Sequence, residues 1–432
     1  MIFTHLFSLF LIATSILTVN AQYFWPGYEG STARDRVIWP KFDEVTTPRN
    51  RISLPNQQIV SNFDTKFTND LQIFANNLYK IASKNNIKNV LLSPFSANIA
   101  LGMLASGAEG ITKSEILQSL NFPANDHLMK SNYKYLIENI MNVQGATLKT
   151  LNKVFINTNL DVKQTFKDVL SHNFHTEEQQ VDFFYSEQAA NYINTWVSRE
   201  TNEKIKNIFE ANELNNRTLM ILTNVIYFKG EWNFKFDEFI DRYFYSGNEK
   251  TSVEMMIKNS EFEIKNLPDI HAQSIELPYK GGELKMIIIL PNNINGLKQV
   301  EKRLETMDLK TLRQNRRNVS VTLYLPKFRV ESTIDMNVIL QEMGMRTMFT
   351  DSANFKTISD SEMNVSKIMQ KIFIEVNENG AEAAADTMVD MIIPHMLTPT
   401  FDVNRPFHYK IIRTIGEDDG VVLFAGNCKY IQ

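Results

Sequence analysis

The stretch NENGAEAAADTMVDMIIPHM, residues 377–396, can be read as a helix or as a strand, and the fold turns on the choice. Alanine is the best helix former, and residues 381–385 are alanine except for Glu382. On a helix, however, Glu382, Asp386 and Asp390 stack at four-residue spacing, where like charges repel. On a strand, alternate residues face opposite sides. Ala381, Ala383, Ala385, Thr387, Val389 and Met391 then share one face. Glu382, Ala384, Asp386, Met388 and Asp390 share the other. The strand reading gives a small-residue inner face and an acidic outer face. Such a strand buries little surface alone, but it suits a crowded slot between other strands.

The surrounding chain is rich in both elements. Phe67, Leu71, Phe74, Leu78 and Ile81 recur at helical spacing, and a buried-looking helix follows the turn at Ser93-Pro94. Further helices are expected over residues 112–120, 131–141, 162–173 and 186–201. The second half turns to strands. LMILTNVIYFKGEW reads as one long strand, and KIFIEVNE and VSVTLYLPKFRVES alternate. Hairpins are expected at Gly281-Gly282 and over residues 416–420. Helices first and strands later indicate an α+β fold rather than repeating βαβ units.

The chain has 432 residues, 43% of them hydrophobic, enough for a sizeable core. Its net charge of -4 implies no pull on nucleic acid. The basic cluster Arg313, Arg316 and Arg317 reads as a solvated face rather than a polyanion site. The apolar run at residues 6–19 is too short to span a membrane. With Val19-Asn20-Ala21 it reads as a secretory signal cut after Ala21, although no basic residue precedes it. No other long apolar run exists, so no membrane attachment is expected of the mature chain. Residues 22–61, polar and dotted with proline, read as a flexible extension. The lone Cys428 allows no internal disulfide and reads as a buried small residue. The sequons at Asn216, Asn318 and Asn364 suit a secreted glycoprotein.

Catalytic motifs fail one by one. The loop from Gly102 to Gly107 lacks the lysine of a phosphate loop, Ala108 standing in its place, and helix packing explains its glycines better. There is no nucleophile elbow, zinc-binding helix or dinucleotide fingerprint. His172 and His175 are close, but a solvated helix end is the simpler reading. No catalytic residue, metal or cofactor is expected.

Ten stretches in order carry a resemblance. They are NVLLSPFSANIALGMLASGAEGIT (89–112), NKVFI (152–156), INTWVSRETNEKIKNI (193–208), LTNVIYFKGEWNFKFD (222–237), ELPYKGGELKMIIILP (276–291), LYLPKFRVES (323–332), LQEMGMRTMF (340–349), VSKIMQKIFIEVNENGAEAAADT (365–387), RPFHY (405–409) and LFAGN (423–427). Together they resemble the serpin family of serine protease inhibitors, most closely secreted arthropod members, over residues 62–432. The resemblance implies one α+β domain with three β-sheets, about nine helices and an exposed reactive-centre loop. The opening stretch becomes that loop's hinge: Glu378, Gly380, Ala381, Glu382, Ala383, Ala384, Ala385 and Thr387. After cleavage it would enter the main sheet as a strand, which the small inner face permits. Ser93, Ser96 and Asn224 match the shutter region through which the sheet opens, and Trp232 matches the breach where insertion starts. Gln370 stands where many members carry a histidine, so a pH-sensitive shutter is not expected.

The scissile bond stays open between two counts. From Gly380 the family spacing puts Pro394 before the cut. From Pro406 it puts His395 there. The preferred bond is His395–Met396, with Met396–Leu397 next. The apolar tip suits a chymotrypsin- or elastase-like extracellular protease, bound by a monomer. A non-inhibitory carrier, binding or storage protein is the alternative, favoured by the unusual tip and by Asp386 and Asp390.

Overall fold

The computed structural model describes residues 65–431 except 85, 124, 141–142, 144, 237, 379–398, 416 and 418. Two sheets organise these residues. The first has five strands in the order β10-β11-β4-β2-β3: β2 is Ala146–Asn157, β3 Glu178–Val181, β4 Met220–Gly230, β10 Phe328–Asp335 and β11 Lys367–Val376. Nine helices lie among the described residues, from α1 (Thr65–Ser83) to α9 (Asn337–Glu342), which matches the expected number.

The first sheet is covered on both faces, so its central strands read as continuous apolar runs. One face presents Phe155, Ile221, Val225 and Phe373 to Ala189, Ala190, Ile193 and Val197 of α6 (Ser186–Glu200). The other face presents Val154, Leu222, Ile226 and Ile372 to the main core. Helix α2 (Pro94–Gly107) runs through that core with all fourteen residues buried, as its apolar circumference requires. The glycines that mimic a phosphate loop are packing residues: a Cβ on Gly102 would lie 2.4 Å from the Tyr133 ring, and one on Gly107 2.4 Å from Ile358.

The second sheet is two expected sheets joined by one strand. The nineteen-residue β6 (Glu249–Leu267) pairs β5 (Glu238–Ser246) over its first nine residues and β9 (Arg317–Pro326) over its middle. Its last residues pair β7 (Ala272–Pro278). β7 leads on through β8 (Leu284–Pro291) and β13 (Phe407–Ile415) to β14 (Asp419–Cys428) and β1 (Leu91–Leu92). β12 (Thr400–Asp402) closes the other edge against β9. The hairpin expected at Gly281-Gly282 joins β7 to β8, with both glycines at positive φ (86° and 74°), where a side chain would be strained.

Element ends shifted by a few residues from the expected ones. One reading is corrected outright. Arg313 is not on a solvated face: it is 1% exposed and donates to Glu276 Oε1 at 2.8 Å. Arg316 reaches Glu263 at 3.0 Å, and Lys285 bonds both carboxylates at 2.6 and 3.0 Å. A charge this buried persists only when paired: both oxygens of Glu276 on β7 accept from Arg313, and Glu263 on β6 joins the cluster through Arg316 and Lys285. Burial opposes ionisation of Glu263, but Lys285 and Arg316 hold its carboxyl down at about 2.

Cys428 is fully buried and burial pushes its thiol up, so it behaves as core. Ellman's reagent should label no thiol in the native protein and one per chain in guanidinium. Rapid labelling of the native protein would show that the β14 end opens locally.

Candidate functional site

β4 and β11 lie side by side and run parallel, in register from Lys367 opposite Ile221 to Ile374 opposite Phe228. β2 and β10 flank them on the outside, each antiparallel to its neighbour. A chain leaving the end of β11 and doubling back would be antiparallel to β11, and therefore to β4 as well. It could form the antiparallel ladder on both sides at once. This seam is where the small-faced strand of residues 381–391 would fit.

Polar residues cross the middle of the seam. Asn152, Asn224 and Gln370 face one another across β2, β4 and β11. The Gln370 amide accepts from Ser93 N at 3.1 Å and donates to Ser93 O at 3.0 Å and to Asn224 Oδ1 at 2.5 Å. Asn224 Nδ2 donates to Ser96 Oγ and to Asn152 Oδ1. Ser93 caps α2, its Oγ accepting from Ser96 N at 3.3 Å while donating to Leu423 O of β14 at 2.8 Å. Ser93, Ser96, Asn224 and Gln370 are all at most 1% exposed. One cluster therefore ties the seam to the helix beneath it and to the second sheet.

The upper end of the seam is held differently. Trp232 Nε1 donates to Asn377 O at 3.0 Å, and its ring stacks on Tyr279 at 4.5 Å. Glu378 pairs with Lys327 Nζ at 2.9 Å, and Lys327 also bonds Glu254. The Lys327 hydrogen bond holds the Glu378 carboxyl below its ordinary range. Burial works against the Lys327 ammonium, but its two carboxylate bonds raise it.

The structure thus brings together Ser93, Ser96, Asn224 and Gln370, and places Trp232 and Glu378 at one end of the same seam. Hinge positions 380–387 and cleavage candidates 394–397 lie outside the described residues. Two participants were missed by sequence reasoning, although both lie in stretches that carried the resemblance. Asn152 was legible as a lone amide inside NKVFI, and Lys327 as a base breaking LYLPKFRVES. Among the described residues no group of three metal-ligating side chains occurs, and His175 pairs with Glu138 at 3.3 Å.

Residues 69–430 match the family model "Serpin (serine protease inhibitor)". The chain belongs to the serpin family. It is 33% identical to an antitrypsin of Bombyx mori, over 87% of this chain and 97% of the relative. The structure of Serpin48, described as a highly specific serpin of the insect Tenebrio molitor, superposes with a TM-score of 0.78 at 30% identity, over 86% of this chain and all of that one. Thyroxine-binding globulin in complex with thyroxine is also similar, with a TM-score of 0.76 at 25% identity, over 85% of this chain and all of that one. The family is described by the inhibition of serine proteases, not by an enzymatic activity of its own.

Two outcomes test this geometry. Gln370→Leu would orphan Ser93 N–H and Asn224 Oδ1, while Ser93 O keeps its bond from Ala97 N. Two orphaned buried groups should cost about 3 kcal/mol, read from urea unfolding; a loss under about 1 kcal/mol would show that the cluster relaxes. Glu378 titrates below its unfolded value, so its pair with Lys327 stabilises above the ordinary carboxylate range and is lost as pH falls through the lower folded value. Lys327→Met should lower the urea midpoint at pH 7, and the gap from wild type should close toward pH 3. A gap independent of pH would assign Lys327 a packing role.

Proposed function

We propose that this serpin is a secreted suicide substrate that traps an extracellular serine protease. The observation carrying the reading is the parallel β4–β11 seam, together with the sequence that follows β11, in which residues 381, 383, 385 and 387 are alanine, alanine, alanine and threonine. The protease attacks the loop, and its serine forms an acyl-enzyme with the residue before the cut. The freed loop then pairs between β4 and β11. Ala381, Ala383, Ala385 and Thr387 face inward, where bulk would clash, and Glu382 and Asp386 face outward. A strand of about 12–15 residues advances about 40–50 Å, which carries the bound enzyme across the molecule. Hydrolysis stalls because the protease's own triad is pulled out of geometry. The inhibitor supplies no catalytic group and needs no cofactor or metal.

In this reading Ser93, Ser96, Asn224 and Gln370 hold the seam shut, and Trp232 and Glu378 mark where insertion begins. Residues 1–21 are a secretion signal, residues 22–61 an extension, and residues 62–432 the inhibitory domain, acting as a monomer. Of the three sequons Asn216 is the best glycan acceptor. It is exposed on a turn before β4, whereas the amides of Asn318 and Asn364 bond Glu261 at 2.7 Å and Asp351 at 3.3 Å. Cleavage is assigned to His395–Met396 or Met396–Leu397, by a chymotrypsin- or elastase-like enzyme.

A carrier function is the second reading, favoured by Asp386 and Asp390 in the loop and by the likeness to thyroxine-binding globulin. Mixing the protein with trypsin, chymotrypsin and elastase separates the two. The inhibitor yields a denaturant-resistant complex and a C-terminal fragment of about 35 residues, and loop cleavage raises its melting temperature. Cleavage with no complex and no gain in stability supports the carrier. Register has its own test. Ala383→Arg should turn inhibitor into substrate, while the outward Ala384→Arg should be far milder; equal loss from both would refute the strand register.

A further inference from the structure

Phe239, Tyr243 and Tyr245 stand in a row on β5 at 45%, 49% and 36% exposure. Alternation along the strand puts them on one face, with the exposed Asp241 between the first two. Single exposed apolar residues are ordinary, but a contiguous aromatic row marks a contact surface. Among the described strands β5 pairs with β6 alone, so it forms an edge. The rings already attract cations: Lys250 Nζ lies 4.4 Å from the Tyr243 centroid and Lys327 Nζ 4.5 Å from that of Phe239.

The position of β5 identifies what covers the row. Lys327, over Phe239, is the partner of Glu378, where the chain departs toward residues 379–398. At the other end of that segment, Pro399 O is fixed by Thr322 N at 3.0 Å. Asp402 then pairs with Arg242 at 2.9 Å, and Asn404 O accepts from Tyr245 N at 2.8 Å. One root of the loop therefore reaches β5 through Lys327, and the other touches it directly.

Resting on the inhibitor reading, we infer that the aromatic row of β5 is a second docking surface for the protease that holds the loop in its cleft. Reach supports it. The bond His395–Met396 lies within about 14 Å of Pro399 even on a fully extended chain. A protease domain of about 230 residues has a radius of gyration of roughly 17 Å, so its body overhangs the surface beside the loop's roots. Charge gives the partner's chemistry. Among the described residues, exposed Glu238, Asp241, Glu249 and Glu254 outnumber exposed Lys235 and Lys250 on and beside β5. The protease surface that fits is apolar at its centre and basic at its rim, with a guanidinium or ammonium set over the rings.

The test measures association rate constants of the full chain with chymotrypsin, elastase and trypsin. Tyr243→Glu and Tyr245→Ala should each slow complex formation about tenfold with at least one enzyme, the scale of a central interface residue. Melting temperature and the stoichiometry of inhibition should stay unchanged, and Tyr192→Ala, an exposed aromatic on α6, should associate at the wild-type rate. If both β5 variants match wild type with every protease that forms a complex, the docking surface is refuted while the inhibitor reading stands. If wild type forms no complex with any of them, the inhibitor reading fails and takes this occupant of β5 with it.

Discussion

Between β4 and β11 two parallel strands hydrogen-bond directly, and the rest of the molecule is arranged around that contact. A parallel pair needs a long connection and is slightly less stable per residue than an antiparallel one. Here both strands are sealed on both faces, by α6 on one side and the main core on the other. Their apolar residues favour a closed sheet but do not choose between five strands and six. The choice falls to the polar groups at the centre. If the strands separate at Gln370 and Asn224, those amides lose each other inside a dry interior, and the cost of an unmet buried hydrogen bond is local and steep. The cluster works as a catch at one point on an otherwise uniform seam.

Because Ser93 belongs to the catch, it also belongs to α2 and to the second sheet. Its backbone binds Gln370, its hydroxyl caps α2 and its Oγ–H reaches Leu423 of β14. A movement at the seam is therefore felt by the most buried helix of the core. That helix is packed to contact at Gly102 and Gly107, so it can shift as a body but not deform. In the inhibitor reading, opening of the sheet would displace α2 as a body through the bonds of this one serine.

Much of this was legible in the sequence. The α+β order, the long strand at Met220–Gly230, the Gly281-Gly282 hairpin and the buried Cys428 follow from periodicity and turn chemistry. The four shutter residues follow from motif resemblance, and their convergence confirms only that they share one place. Physical reasons account for what was missed. Arg313 and Arg316 look like part of a surface cluster with Arg317 because their acidic partners, Glu276 and Glu263, lie far earlier in the chain, and only the folded sheet brings them together. The joining of two sheets by β6 was equally invisible, since a nineteen-residue strand differs from two shorter ones only in its partners. Lys327 reads as one more strand-end base until Glu254 and Glu378 converge on it.

The two ends of the catch respond to solution conditions in different ways, and residue chemistry explains why. Gln370 carries a carboxamide, which donates and accepts at once and does not change charge at any physiological pH. The middle of the seam is therefore held by neutral bonds. The upper end is held by an ion pair, Lys327 with Glu378, together with the neutral Trp232 bond to Asn377 O. Salt screens a partly exposed pair and leaves a buried amide cluster almost untouched. Conditions that loosen the root of the loop thus leave the centre closed. In the inhibitor reading, the start of insertion and the parting of the strands below it would answer to different forces, and a segment entering at the top would meet the second only after the first had given way.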